Sequence, residues 1–140
     1  MILERQPKTF EEIDPETDKL AKEVVDAAFQ VHKNLGPGLL ENAYETCLLY
    51  EITQKGLRVE RQVEVPLVYK GVQMNAGFRL DLLVENKIIV EIKAIEHLLP
   101  VHRAQVLTYL KLAKLKLGFL INFNEETLKQ GLERIGLSKV

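Results

Sequence analysis

From Leu20 onward apolar residues recur at helical spacing, at Leu20, Val24, Ala27, Ala28 and Val31. That period predicts an amphipathic helix over about 18–33, with Thr17 or Asp18 as its cap. The cluster Asn34-Leu35-Gly36-Pro37-Gly38 ends it. A second helix is predicted over about 39–55, with Ala43, Cys47, Leu48 and Ile52 toward the core and Gly56 as its stop. The period then drops to two. Val63, Val65 and Leu67 fall on one face and Gln62, Glu64 and Pro66 on the other. This predicts a half-buried strand over 59–69, which Pro66 assigns to a sheet edge. Lys70-Gly71 turns the chain into a second strand over 72–84, and Glu85-Asn86 turns it into a third over 87–94. Pro100 suits the first turn of a third helix running to about Lys114. Residues 117–123 read as a short apolar strand, and 125–135 as a closing helix.

The order is helix, helix, three strands, helix, strand, helix. It predicts an α/β fold with a mixed four-stranded sheet flanked by helices, the last strand reached through a helical crossover. Residues 1–16 read as a polar lead-in and 17–140 as a single domain.

Composition narrows the function classes. The chain has 140 residues, 46% hydrophobic and 28% charged, as a globular domain does. It holds no apolar run of about 18 residues, so no membrane span is expected. Residues 1–16 lack the apolar core of a signal peptide. The single cysteine, Cys47, fits a reducing cytoplasm and reads as a small helix residue, not a nucleophile. Three histidines and one cysteine leave a zinc site little to build on. A net charge of −1 speaks against a simple nucleic-acid binder, although a local basic strip can sit on a neutral protein. Lys111, Lys114 and Lys116 form the candidate strip, and equally an ordinary solvated helix end.

The third strand carries the candidate chemistry. Alternation places Glu91 and Lys93 on one face, roughly 6–7 Å apart. Asp81 lies five residues before Asn86 and Glu91 five after it. A tight hairpin therefore opposes the two carboxylates, with Cβ atoms about 5 Å apart. Such a pair repels unless a proton or a cation lies between its members. Mg²⁺ suits it, since that ion takes oxygen ligands and keeps several waters. Lys93 would stand beside the ion, able to orient a water and bind phosphate. The competing reading is a cross-strand salt bridge of Asp81 with Lys93, with Glu91 solvated.

Asp81 followed by Glu91-Ile92-Lys93 after a hairpin resembles the PD-(D/E)xK nuclease superfamily. Leu80 stands where the superfamily's name has Pro. Two further blocks resemble the GxxExxY family within it. One is Gly38-Leu39-Leu40-Glu41-Asn42-Ala43-Tyr44, preceded by His32-Lys33-Asn34-Leu35-Gly36-Pro37. The other is Pro100-Val101-His102-Arg103-Ala104-Gln105, continuing to Leu107-Thr108-Tyr109-Leu110. The resemblance covers roughly residues 18–135. It implies a restriction-endonuclease-like core and metal-dependent hydrolysis of DNA or RNA with Mg²⁺ or Mn²⁺. It assigns Asp81, Glu91 and the Ile92 carbonyl to the metal, Lys93 to catalysis and Glu41 to an additional acidic role, with Gln105, Tyr109, Tyr44, His32 and His102 as candidates for support or substrate contact. Nucleic acid is the implied partner, and a homodimer or a protein partner stays open. A non-catalytic nuclease-fold module is the alternative.

Several of these residues carry a plainer reading too. Glu41 suits a first helical turn and His32 a last one, for dipole reasons. Tyr109, which shares a helix face with Gln105 and His102, can be a core residue. Tyr44 can stack on a base, hold Glu41 or fill the core. His97 reads as a loop residue.

Overall fold

Strand β3 (Ile88–Lys93) is covered by the fold on both faces, with all its residues but Lys93 buried. The computed structural model describes residues 12–137. Ile88, Val90 and Ile92 enter one core with helices α1 (Pro15–Leu35) and α2 (Glu41–Gln54). Ile89 enters a second core with Val106, Tyr109 and Leu110 of α3 (Pro100–Ala113). Helices thus flank the sheet on both sides, each burying an apolar stripe against it.

The sheet has five strands in the order β1-β2-β3-β4-β5. Strand β1 (Val59–Tyr69) pairs antiparallel with β2 (Val72–Val84), and β2 with β3. Helix α3 then carries the chain to β4 (Leu117–Asn122), which runs parallel to β3. Lys70-Gly71 is the expected two-residue turn, while the β2–β3 connection is one residue longer than expected, Glu85-Asn86-Lys87. Lys70, Glu85 and Asn86 take φ near +50° (+50°, +51° and +53°), the left-handed geometry of tight hairpin turns. Strand β1 is an edge, as Pro66 requires, and its ladder shifts register between Val65 and Leu67.

Three expectations need correction. Helix α1 starts at Pro15, capped by Asp14, whose Oδ1 accepts the Thr17 N–H at 2.6 Å. Asp14-Pro15-Glu16 is therefore a helix start and not part of a lead-in, while residues 1–11 lie outside those described. Helix α2 starts at Glu41 instead of Leu39, so the Gly-Pro-Gly loop runs through Leu40. The third correction concerns 125–135. In place of a closing helix there is a short α4 (Leu128–Gly131) followed by β5 (Leu132–Gly136), antiparallel to β4. The spacing of Leu128, Leu132 and Ile135 mimics a helix. Strand β4 decides otherwise, because all six of its residues are buried and its second edge needs a hydrogen-bonding partner.

Candidate metal centre

The β2–β3 ladder runs from Val84↔Ile88 to Leu82↔Val90 and stops. The next opposed pair is Asp81 and Glu91, where side chains replace the backbone bonds. Glu91 Oε1 accepts the Asp81 N–H at 3.0 Å, and Asp81 Oδ2 accepts the Ile92 N–H at 2.8 Å. Beyond this point β2 continues with β1 alone, out to Tyr69↔Val72. The two carboxyls thus sit in the fork where the β1–β2 arm leaves the sheet.

Both arm strands switch faces at the fork. Leu82 belongs to the first core and Leu80 to the second, although residues two apart on a regular strand share a face. Val59 and Val63 divide in the same way. Gln62 sits at the switch with φ +52°, and the pairing skips it and Asp81.

Burial sets the electrostatics. Glu91 is 4% exposed. Burial first, and then the charge of Asp81, push its carboxyl up to about 8. Burial also raises Asp81, with the Glu45 charge adding to the effect. Lys93 pulls both carboxyls down and is outweighed. The Asp81–Lys93 salt bridge is not among the ion pairs of the described residues. A buried carboxyl and a half-buried one facing it, both resisting ionisation, form a place where a metal ion would be electrostatically welcome.

A cavity of about 190 Å³ adjoins Asp81, lined also by Glu41, Asn42, Glu45, Gln62 and Ile92. Glu41 is exposed at its mouth, in the first turn of α2. Glu45, one turn on, is 6% exposed and held by Arg61 Nη2 at 2.9 Å and Gln62 Nε2 at 2.7 Å. Sequence reasoning missed Glu45 and Gln62. The four-residue spacing from Glu41 was the available signal for Glu45. Nothing in a strand pattern marks a left-handed glutamine.

The remaining expected residues divide. Tyr109 is buried against Phe78, ring centroids 5.5 Å apart, and its hydroxyl is pushed up by burial and then by the charges of Glu91 and Asp81. Gln105 is half-buried one turn before it. His102 Nδ1 accepts the Leu99 N–H at 2.9 Å, a helix-start bond. Tyr44 is fully buried and stacked on Phe123, ring centroids 4.7 Å apart, so no base can stack on it. Its hydroxyl donates to the Gly36 carbonyl and accepts the Leu39 N–H, fixing the Gly-Pro-Gly loop. His32 Nε2 donates to the Glu125 carbonyl at 2.9 Å, which makes it a structural tie. His97 is an exposed loop residue. Lys114 and Lys116 line a groove with Lys87, which precedes β3, whereas Lys93 ends it. That basic strip is at the far end of the sheet from Asp81 and Glu91.

Asn122 is the other residue the sequence did not reveal. It pairs with Lys93 in register and is fully buried. Its Oδ1 accepts the Ile95 N–H at 3.1 Å and its Nδ2 donates to the Ile95 carbonyl at 2.9 Å. This clamps the chain just beyond Lys93.

A model of the PD-(D/E)XK nuclease superfamily matches residues 18–135. The chain belongs to the PD-(D/E)XK nuclease superfamily. Comparison with curated proteins and with solved structures returns no match. Enzymes of this nuclease superfamily usually work with divalent metal ions. The donors at the fork suit such an ion, being hard oxygens of the kind Mg²⁺ takes. Among the described residues no group of three or more His, Cys, Asp and Glu stands at metal-holding spacing. The fork offers a carboxylate pair, and an ion held there would need further oxygen donors, as Mg²⁺ commonly draws from water.

Proposed function

We propose that this protein is a Mg²⁺- or Mn²⁺-dependent phosphodiesterase acting on DNA or RNA, a member of the GxxExxY branch of its superfamily. One observation carries the reading: a half-buried carboxyl, Asp81, and a buried one, Glu91, oppose each other where the ladder ends, with Lys93 two residues on. Superfamily membership supports the reaction class.

A divalent ion held by Asp81, Glu91 and the Ile92 carbonyl would acidify a water and offset charge on phosphoryl oxygens. The chain's own residues do the rest. Glu91, held up near 8 by burial, would give up its proton to hold such an ion beside Asp81. Lys93 orients the attacking water and binds a phosphate oxygen. The water oxygen bonds to phosphorus as the bond to the leaving oxygen breaks, and that oxygen takes up a proton. Glu41 and Glu45 add negative charge at the cavity, and Tyr109 and Gln105 support the carboxyls from α3. Lys93→Ala should reduce metal-dependent cleavage of labelled DNA or RNA by about 10²-fold or more, with an unchanged circular dichroism spectrum. Cleavage at the wild-type rate would refute this mechanism.

A second reading is favoured by the net charge of −1. In it the fold is a non-catalytic module that binds nucleic acid or a protein partner. Calorimetric titration with Mn²⁺ separates the two. No binding by wild type, or unchanged binding by Asp81→Ala, favours the module. The single cysteine supports a cytoplasmic location. A homodimer would give two sites for cutting two strands, and sedimentation would detect it.

A further inference from the structure

Neighbouring side chains of a β-strand point to opposite faces. Arg61 and Gln62 of β1 do not. Arg61 Nη2 reaches Glu45 Oε2 at 2.9 Å, and Gln62 Nε2 reaches Glu45 Oε1 at 2.7 Å. Two successive residues grip one carboxylate because Gln62 adopts φ +52°, in the left-handed region. That backbone is unfavourable for a residue with a Cβ and natural for glycine. Nothing in the turn chemistry of the strand calls for glutamine there. Its side chain does, because the same Nε2 lies 3.4 Å from Asp81 Oδ1. Asp81 Oδ2 is already taken by the Ile92 N–H, so Oδ1 is the oxygen left to face the cavity.

We infer that Gln62 is a positioning residue for the cation site, holding Asp81 Oδ1 and Glu45 at a fixed separation through one amide nitrogen. This rests on the reading that Asp81 and Glu91 hold the ion. A strained backbone is kept for the sake of the site, a pattern common where side chains must be re-aimed. The amide acts as an outer partner that orients a ligand, and removing such partners typically weakens metal affinity about 10- to 100-fold.

The test is Gln62→Gly, with Gln62→Asn beside it. Glycine relieves the backbone and removes the amide. Asparagine tolerates the left-handed conformation but is one methylene too short to span both carboxylates. In EDTA the Tm of Gln62→Gly should equal or exceed that of wild type. In calorimetry with Mn²⁺ alone, both variants should bind about 10- to 100-fold more weakly than wild type. A clearly lowered Tm for Gln62→Gly in EDTA would make Gln62 an ordinary stabilising residue and overturn the inference. So would wild-type Mn²⁺ affinity in both variants. Absence of Mn²⁺ binding in wild type overturns the metal reading itself, an outcome distinct from equal binding in all three proteins.

Discussion

Glu91 shows how one residue can act against the stability of the fold that holds it. Its carboxyl titrates near 4.5 when unfolded and is pushed up to about 8 when folded. Below the lower value both states are protonated and its contribution to stability is complete. Between the two values the folded state binds more protons, so stability falls as pH rises, and above about 8 the loss is complete. The metal-free protein should therefore show a falling Tm from pH 5 to pH 9, and Glu91→Gln should flatten that slope. A flat wild-type profile would mean that the carboxyl is not buried as described. Mn²⁺ should raise the Tm more at pH 8 than at pH 5, because the ion competes with the protons. The sequence revealed this pair readily, since counting outward from Asn86 at the centre of the turn gives the residues that oppose each other. It did not reveal Gln62, Glu45 or Asn122. Their roles depend on a strand that switches faces and on a loop closed by a side chain, and neither leaves a periodic trace.

At the scale of elements, periodicity found α1, α2, α3 and the first four strands, because each buries one face or both. It failed at 125–135, where apolar residues at helical spacing are divided between a single turn of helix and an edge strand. The join between them is tight. A Cβ on Gly131 would overlap the carbonyl oxygen of Asn122. Gly131→Ala should accordingly cost about 1–3 kcal/mol in urea unfolding, the usual range for overpacking. It should also disturb the site, because Asn122 clamps the chain beyond Lys93 through Ile95. A fully stable Gly131→Ala would show that the α4–β5 join is looser than this packing implies.

The whole molecule assembles its site from pieces distant in the chain. Helix α2 brings Glu41 and Glu45, the β1–β2 arm brings Gln62 and Asp81, and β3 brings Glu91 and Lys93. Lys114 and Lys116 lie elsewhere, so under the proposed function attraction of a polyanion to the fork would fall to Lys93 and a bound divalent ion. The most direct measurement is a cleavage panel of labelled single-stranded, duplex and branched DNA and RNA, with Mn²⁺ or with EDTA, run on wild type and on Glu91→Ala. The account predicts cut products from wild type with Mn²⁺, and none with EDTA or from Glu91→Ala. Cleavage that survives EDTA, or that Glu91→Ala performs as fast as wild type, would contradict it.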